Sequence, residues 1–171
     1  MSRRTNEVDS LASVSAADFK TAMRRFASTV NVITSGCGTV LNGMTATAVC
    51  SVSADPPSVL IVVNQENRSH ALIEQSGAYT VNVLSASQEE LASHFASSSI
   101  APFATVPHSL GLNKCPIIDN CTSFLECLVE SRMRSGTHSI FIGRVIASGE
   151  RDSAPLIYHD GGFRCLRLNP R

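Results

Sequence analysis

The stretch Gly43-Met44-Thr45-Ala46-Thr47-Ala48-Val49-Cys50-Ser51-Val52-Ser53, closed by Asp55-Pro56-Pro57, does most to restrict how this chain can fold. Read as one extended segment, it puts Thr45, Thr47, Ser51 and Ser53 on one side and Ala46, Ala48, Cys50 and Val52 on the other. One side is then a row of hydroxyls. The small side chains at Ala46, Thr47, Ala48 and Ser51 let a flat ligand approach the backbone, and hydroxyls with exposed N–H groups suit a phosphate. The same residues also describe an ordinary strand with its hydroxyls toward water, because serine and threonine are mostly surface residues. On this stretch alone both readings stand.

The flanking segments read as further strands. Val30-Asn31-Val32-Ile33-Thr34 precedes turn-forming Gly36-Cys37-Gly38 and Asn42-Gly43, which predicts a hairpin with the hydroxyl-rich stretch. Ser58 to Val63 is a continuous apolar run of the kind buried in the middle of a sheet. Ala78 to Leu84 alternates, Cys121 to Arg134 and His138 to Glu150 are longer strands, and Leu156-Ile157-Tyr158 with Phe163 to Leu166 flank the hairpin signal Asp160-Gly161-Gly162. Three helices are expected between them. The first runs from about Ala16 to Phe26 behind a Ser15/Asp18 capping box, with Phe19, Ala22, Met23 and Phe26 inward. The second is capped by Asn67, carries Ala71, Leu72 and Ile73 inward and stops at Gly77. The third opens on a Ser87/Glu90 capping box and buries Leu91 and Phe95. Ser97 to Pro116 is expected to be a long loop over a functional face, and residues 1–14 a loose arm before a single domain over 15–171. Many short strands with few helices predict a mainly β fold, an antiparallel barrel with helices at its rim.

Composition removes several functions. The 171 residues are 43% hydrophobic with 14 basic and 14 acidic side chains, so no surface dedicated to nucleic acid is expected. No apolar run spans a bilayer and no signal peptide opens the chain, which predicts a cytoplasmic protein. The six cysteines lack Cys-x-x-Cys spacing and read as free, small apolar residues. His70, His94, His108 and His159 are too scattered for a metal site, and no Gly-x-Ser-x-Gly turn supports hydrolysis. The segment Asn67-Arg68-Ser69-His70 opens a helix, where unpaired N–H groups and the dipole favour a phosphate and Arg68 adds charge.

Six segments in order carry a family resemblance: Gly43 to Ala48, Ser51 to Pro57, Ser76 to Leu84, Leu91 to Ala96, His138 to Val145 and Pro155 to Tyr158. Together they resemble the short-chain flavin reductase family, whose members have an FMN-binding split β-barrel of antiparallel Greek-key type. The resemblance implies a homodimer that binds FMN, or FAD, and oxidises NADH or NADPH, with reduced flavin serving a partner oxygenase. It implies that Thr45, Ala46, Thr47 and Ala48 line the flavin, and that Ser51, Val52 and Ser53 meet the isoalloxazine edge. Asn67, Ser69 and His70 would lie near the phosphate, His138 at the nicotinamide site, and Tyr158 within reach of the ligand. Where the family often has Gly-Asp-His, this chain has Gly136-Thr137-His138, so no carboxylate orients His138. Two alternatives share the same fold: an FMN-containing corrinoid reductase acting on cobalt(II), and a non-enzymatic flavin- or heme-binding module.

Overall fold

A computed structural model describes residues 11–97 and 99–166. Its strands are β1 (Ser28–Thr29), β2 (Asn31–Cys37), β3 (Val40–Ala46), β4 (Val49–Ala54), β5 (Pro57–Asn64), β6 (Ala78–Val83), β7 (His108–Leu110), β8 (Pro116–Ile118), β9 (Ser123–Ser135), β10 (His138–Glu150), β11 (Leu156–His159) and β12 (Gly162–Cys165). The helices are α1 (Ala16–Met23), α2 (Arg68–Ser76) and α3 (Glu89–Ala96). Seven strands form one antiparallel sheet in the order β3-β2-β6-β9-β10-β5-β4. Its two edge strands, β3 and β4, are joined by Thr47 and Ala48 alone, so the end of β3 lies within roughly 10 Å of the start of β4. The sheet is therefore curled into a barrel that stops one pairing short of closure.

That junction corrects the expectation of one continuous ribbon from Gly43 to Ser53. The chain turns at Thr47 and Ala48, and a register shift between Ser51 and Ser53 breaks the alternation a second time. The expected row of hydroxyls does not form. Thr45 Oγ1 donates to Ala92 O at 2.6 Å, while Ser53 Oγ donates to Asp55 O and accepts from Asp55 N, both at 3.0 Å.

Two apolar clusters hold the barrel, one on each face of its most buried strands. Ile33, Met44, Ile61, Val63, Ile73, Tyr79, Val81 and Phe141 fill the interior, with Ile73 reaching in from α2. Val30, Val32, Leu84, Ala92, Phe95, Phe103 and Leu156 pack outside, beneath α3 and the chain that follows it. β2 contributes Val32 to one cluster and Ile33 to the next, as a strand covered on both faces must.

Helix ends follow local chemistry in two cases and depart from it in the third. Ser15 Oγ accepts from Asp18 N, and Asn67 Oδ1 accepts from Ser69 N at 2.9 Å, while Gly77 ends α2 at φ 66°. α3 follows Gln88, which gives it no side-chain cap, and Ser87 Oγ bonds to Ser85 Oγ at 3.0 Å instead of closing a box with Glu90. α1 ends at Met23, short of Phe26, and none of its residues is buried: Phe19, Met23 and Phe26 face outward. Ala71 of α2 is likewise exposed.

Three further expectations change. Asn42 and Gly43 lie inside β3, and Gly38 and Thr39 make the β2–β3 turn. The expected loop from Ser97 to Pro116 holds β7, which pairs with β8, and is pinned by Asn82 and Asn113. Cys115, Cys121 and Cys127 are buried, but Cys50 and Cys165 are exposed and Cys37 is intermediate. Residues 1–10 of the expected arm fall outside the described residues, and 11–14 are exposed without regular structure.

Candidate active site

The free edge of β3 is where the fold leaves room for a ligand. Three adjoining hollows succeed one another along it. The first, about 290 Å³, is bounded by Thr45, Ala46, Thr47, Ala92, Tyr158 and Phe163. The second, about 530 Å³, takes in Asn42, Gly43, Asn64, Asn67, Arg68 and Phe95 and shares Ala96 with the first. The third, about 270 Å³, adjoins Thr39, Val40 and Leu41 and shares Arg68, Ile100 and Pro102 with the second. The numbering of β3 falls steadily from one hollow to the next, so together they make a groove along the strand. An edge strand carries backbone N–H and C=O groups with no neighbouring strand on that side, which is what a planar ligand with ring heteroatoms needs.

Side chains set the chemistry of each part. At the first hollow, Tyr158 meets Phe163 edge-on with ring centroids 5.9 Å apart, giving an aromatic wall opposite the small residues of β3. At the second, three asparagines and Arg68 face a single acid, Glu66, an arrangement rich in donors and suited to an anion. Asn67, as the cap of α2, brings the positive end of that helix to the same place.

The residues singled out from sequence divide between places. Thr45, Ala46, Thr47 and Tyr158 come together at the first hollow, and Asn67 stands at the second. Ser69 and His70 sit in the adjoining turn of α2, but their side chains turn inward. Ser69 Oγ accepts from Asn42 Nδ2 at 2.8 Å, and His70 Nε2 lies 2.8 Å from Ser139 Oγ. His70 is packed edge-on against Phe141, and burial, with Arg132 and Arg134 nearby, lowers its pKa. Glu74 is 3.8 Å away, yet its carboxylate is engaged by Arg132 and offsets little of this. Ala48, Ser51, Val52 and Ser53 lie at the junction and on β4, along the opposite edge. His138 is exposed at the start of β10, paired in register with Asn64, and its Nδ1 lies 2.9 Å from Thr137 Oγ1. Thr137 thus meets the imidazole where a carboxylate was sought.

Several lining residues were not singled out. Arg68 was noted only as added charge, yet it stands between two hollows and its Nη1 donates to Ile100 O at 2.9 Å. Its place after a helix cap was the available signal. Asn42 reads from the sequence only as a turn residue beside Gly43, and Asn64, after an apolar run, does not announce a ligand. His94 and His108 are occupied by backbone, at 2.7 Å from Pro102 O and 2.7 Å from Val106 O. Among the described residues no cluster of three His, Cys, Asp or Glu side chains is placed to hold a metal, and no helix is long and apolar enough to cross a membrane.

The fold recurs in known proteins. The family described as "Flavin reductase like domain" matches residues 23–167. The chain belongs to this family. An FMN reductase (NADH), RutF, of Stutzerimonas stutzeri is 33% identical over 84% of this chain and 84% of its own length. The reductase component of a 4-nitrophenol 4-monooxygenase/4-nitrocatechol 2-monooxygenase of Rhodococcus opacus is 33% identical over 86% of this chain and 79% of its own. Among solved structures, the NADH:FAD oxidoreductase SgcE6 of Streptomyces globisporus, in complex with NAD and FAD fragments, superposes with a TM-score of 0.84 at 33% identity, covering 94% of this chain and 98% of that one. None of these relatives points to the corrinoid alternative.

Proposed function

We propose that this flavin reductase family member oxidises NADH and reduces FMN, releasing the reduced flavin to a partner oxygenase. The observation that carries the reading is the groove along β3, with small residues and Tyr158 at one end and Asn67 with Arg68 farther on. From Ala46 to Asn42 the strand rises roughly 13 Å, enough to separate a tricyclic ring from its phosphate. The donor set fits the group: a cation, amide side chains and a helix N-terminus for the phosphate, and edge backbone with Thr45, Ala46 and Thr47 for the ring. Flavin supplies the hydride-accepting chemistry, and the nicotinamide supplies the hydride. The chain's own residues bind, orient and exclude water. The aromatic wall of Tyr158 and Phe163 limits solvent at the ring end, and small side chains on β3 allow a second planar ring to stack. His138, fixed by Thr137, is our candidate for contact with the nicotinamide nucleotide, and Ala48 with Ser51, Val52 and Ser53 our candidates for the far rim of the ring. Relatives named for NADH favour it over NADPH, and the relative named as a monooxygenase component supports an oxygenase as partner.

We read the active form as a homodimer. α1 is eight residues long, too short to persist alone in water, and its apolar side chains Phe19 and Met23 lie exposed with Phe26 beyond them. The unpaired edge of β4, with Val52 exposed, is a second surface to cover. The chain is one domain over 15–171, in keeping with a family match across 23–167, and its unpaired cysteines suit the cytoplasm. Purified protein given FMN and NADH should consume NADH in proportion to flavin. Absence of flavin-dependent turnover with either nicotinamide would end this reading. A monomeric mass by light scattering would end the dimer.

A further inference from the structure

The far end of the β9–β10 hairpin projects past its neighbours in the sheet. β6 accompanies β9 only as far as Leu128, and after Val129, which donates to Gly77 O at 2.8 Å, β9 has no further strand on that side among the described residues. On the other side β5 ends at Asn64, opposite His138. Residues 131–138 are all exposed, so apolar burial does little to fix the turn at Gly136 and Thr137. Gln65 fixes it instead. Its Nε2 donates to Gly136 O at 3.2 Å and to His138 O at 3.1 Å, and its backbone N–H donates to Thr137 O at 3.0 Å, so one residue engages three consecutive carbonyls. The two-residue connection already closes through its own strand pairing, Ser135 opposite His138, so the clamp is not needed to form the turn; it sets where the turn sits.

Gln65 is itself held in place. Asn67 N donates to Asn64 O at 3.0 Å and Glu66 N to Asn64 Oδ1 at 2.9 Å, which closes a tight turn between β5 and α2. Asn64, Glu66 and Asn67 border the central hollow, and Gln65 does not. One turn therefore meets the anion end of the groove with three residues and grips the Gly136-Thr137-His138 turn with the fourth. Resting on the flavin reductase reading, and on His138 as its contact with the nicotinamide nucleotide, we propose that Gln65 is a positioning residue for that contact. By tying the three carbonyls to the β5–α2 turn it holds the His138 imidazole, with Thr137 Oγ1 against its Nδ1, in one place relative to the groove. A group held in place before the nucleotide arrives binds it without the entropy loss of ordering a free hairpin end.

Gln65→Met keeps the length of the side chain and the backbone N–H but removes the Nε2 donors, and Gln65→Glu sets a carboxylate oxygen against the two carbonyls. The KM for NADH is measured at saturating FMN by absorbance, the FMN dissociation constant by flavin fluorescence, and opening of the turn by hydrogen exchange. Both variants should raise the KM for NADH about three- to tenfold while kcat, FMN binding and Tm hold, and exchange should quicken at the turn alone. In a His138→Ala background Gln65→Met should change the KM by less than about twofold, because the group it positions is gone. A KM within about twofold of wild type in both variants, a KM that moves only together with FMN binding or Tm, or an undiminished effect in the His138→Ala background would overturn the positioning role. Wild-type protein that shows no flavin-dependent NADH oxidation would instead overturn the function on which that role rests.

Discussion

Gly43→Ala tests the link between packing and site at one atom. Gly43 lies in β3 on the wall of the central hollow, and a Cβ added there would stand 2.7 Å from Phe95 Cδ1, 2.7 Å from Cε1 and 3.2 Å from Val32 Cγ1. Carbon atoms in contact prefer about 3.5–4.0 Å, so the ring must retreat by roughly 1 Å. It has little space to do so. Phe95 is 3% exposed, its centroid is 5.1 Å from that of Phe103, and Ala92 and Val32 are buried in the same cluster. Overpacking of this kind costs about 1–3 kcal/mol, which for a domain of this length lowers Tm by roughly 2–12 °C. Because Phe95 also lines the hollow, the FMN dissociation constant should rise together with the loss of stability. Gly77→Ala is the comparison: its φ of 66° makes a side chain unfavourable by about 1–2 kcal/mol, but nothing lies within 4 Å of the new Cβ and no hollow along β3 touches it. It should lower Tm with far less effect on FMN. Thermal unfolding by circular dichroism and flavin titration read both quantities. A Gly43→Ala protein that melts and binds FMN as wild type does would refute the contact between this wall and Phe95.

Other consequences follow from buried polar groups. Asn82 Oδ1 accepts from Ile118 N at 2.8 Å while its Nδ2 donates to Val32 O and Thr34 Oγ1, so Asn82→Ala strands a buried amide; a loss of about 1–3 kcal/mol by urea unfolding is expected, with faster hydrogen exchange at Ile118. His70 is held below its ordinary pKa of 6.5, chiefly by burial and also by Arg132 and Arg134, with Glu74 and Ser139 completing its surroundings. The unfolded chain then binds the proton more readily than the folded one, so stability should fall as pH drops below about 6.5, and His70→Gln should flatten that part of the profile. Burial pushes the Cys115 thiol up to about 11 and those of Cys121 and Cys127 up to about 12, so all three should resist alkylation at pH 8 and react once the protein is unfolded. Rapid modification of any of them in native protein would contradict their placement.

What could be read from the sequence was set by short-range chemistry. The β11–β12 turn, with Asp160 at φ 50° and Gly161 at φ 78°, is written in two adjacent residues, and so are the Asn67 cap and the Gly77 stop of α2. Strand identity followed from alternation and apolar runs. The break at Thr47 and Ala48 had no such mark, since neither residue is glycine or proline and both are at home in a strand. It is imposed from a distance: β3 is held by β2 and β4 by β5, and the chain between them must cross the seam of the barrel. The inward turn of His70 is equally nonlocal, because Ser139 reaches it only once β10 has paired with β5. α1 misled for the opposite reason: its spacing is that of a buried face, and the face exists, but nothing among the described residues covers it.

The same seam explains why the residues gathered at the groove are those of β3. A sheet that closed fully would pair β3 with β4 and satisfy both edges with backbone, leaving no row of donors and acceptors for a ligand. Stopping one pairing short costs that ladder of hydrogen bonds and leaves an edge that must be covered by something else. α3 is tied to this strand by Thr45 Oγ1 donating to Ala92 O, and α2 by Asn42 Nδ2 donating to Ser69 Oγ. Between these two anchor points the strand shows Gly43, where any larger side chain meets Phe95, and beyond them Ala46 and Thr47. Thus small residues on β3 are required twice: by helices that approach the strand closely, and by a flat ring that would lie along what the helices leave open.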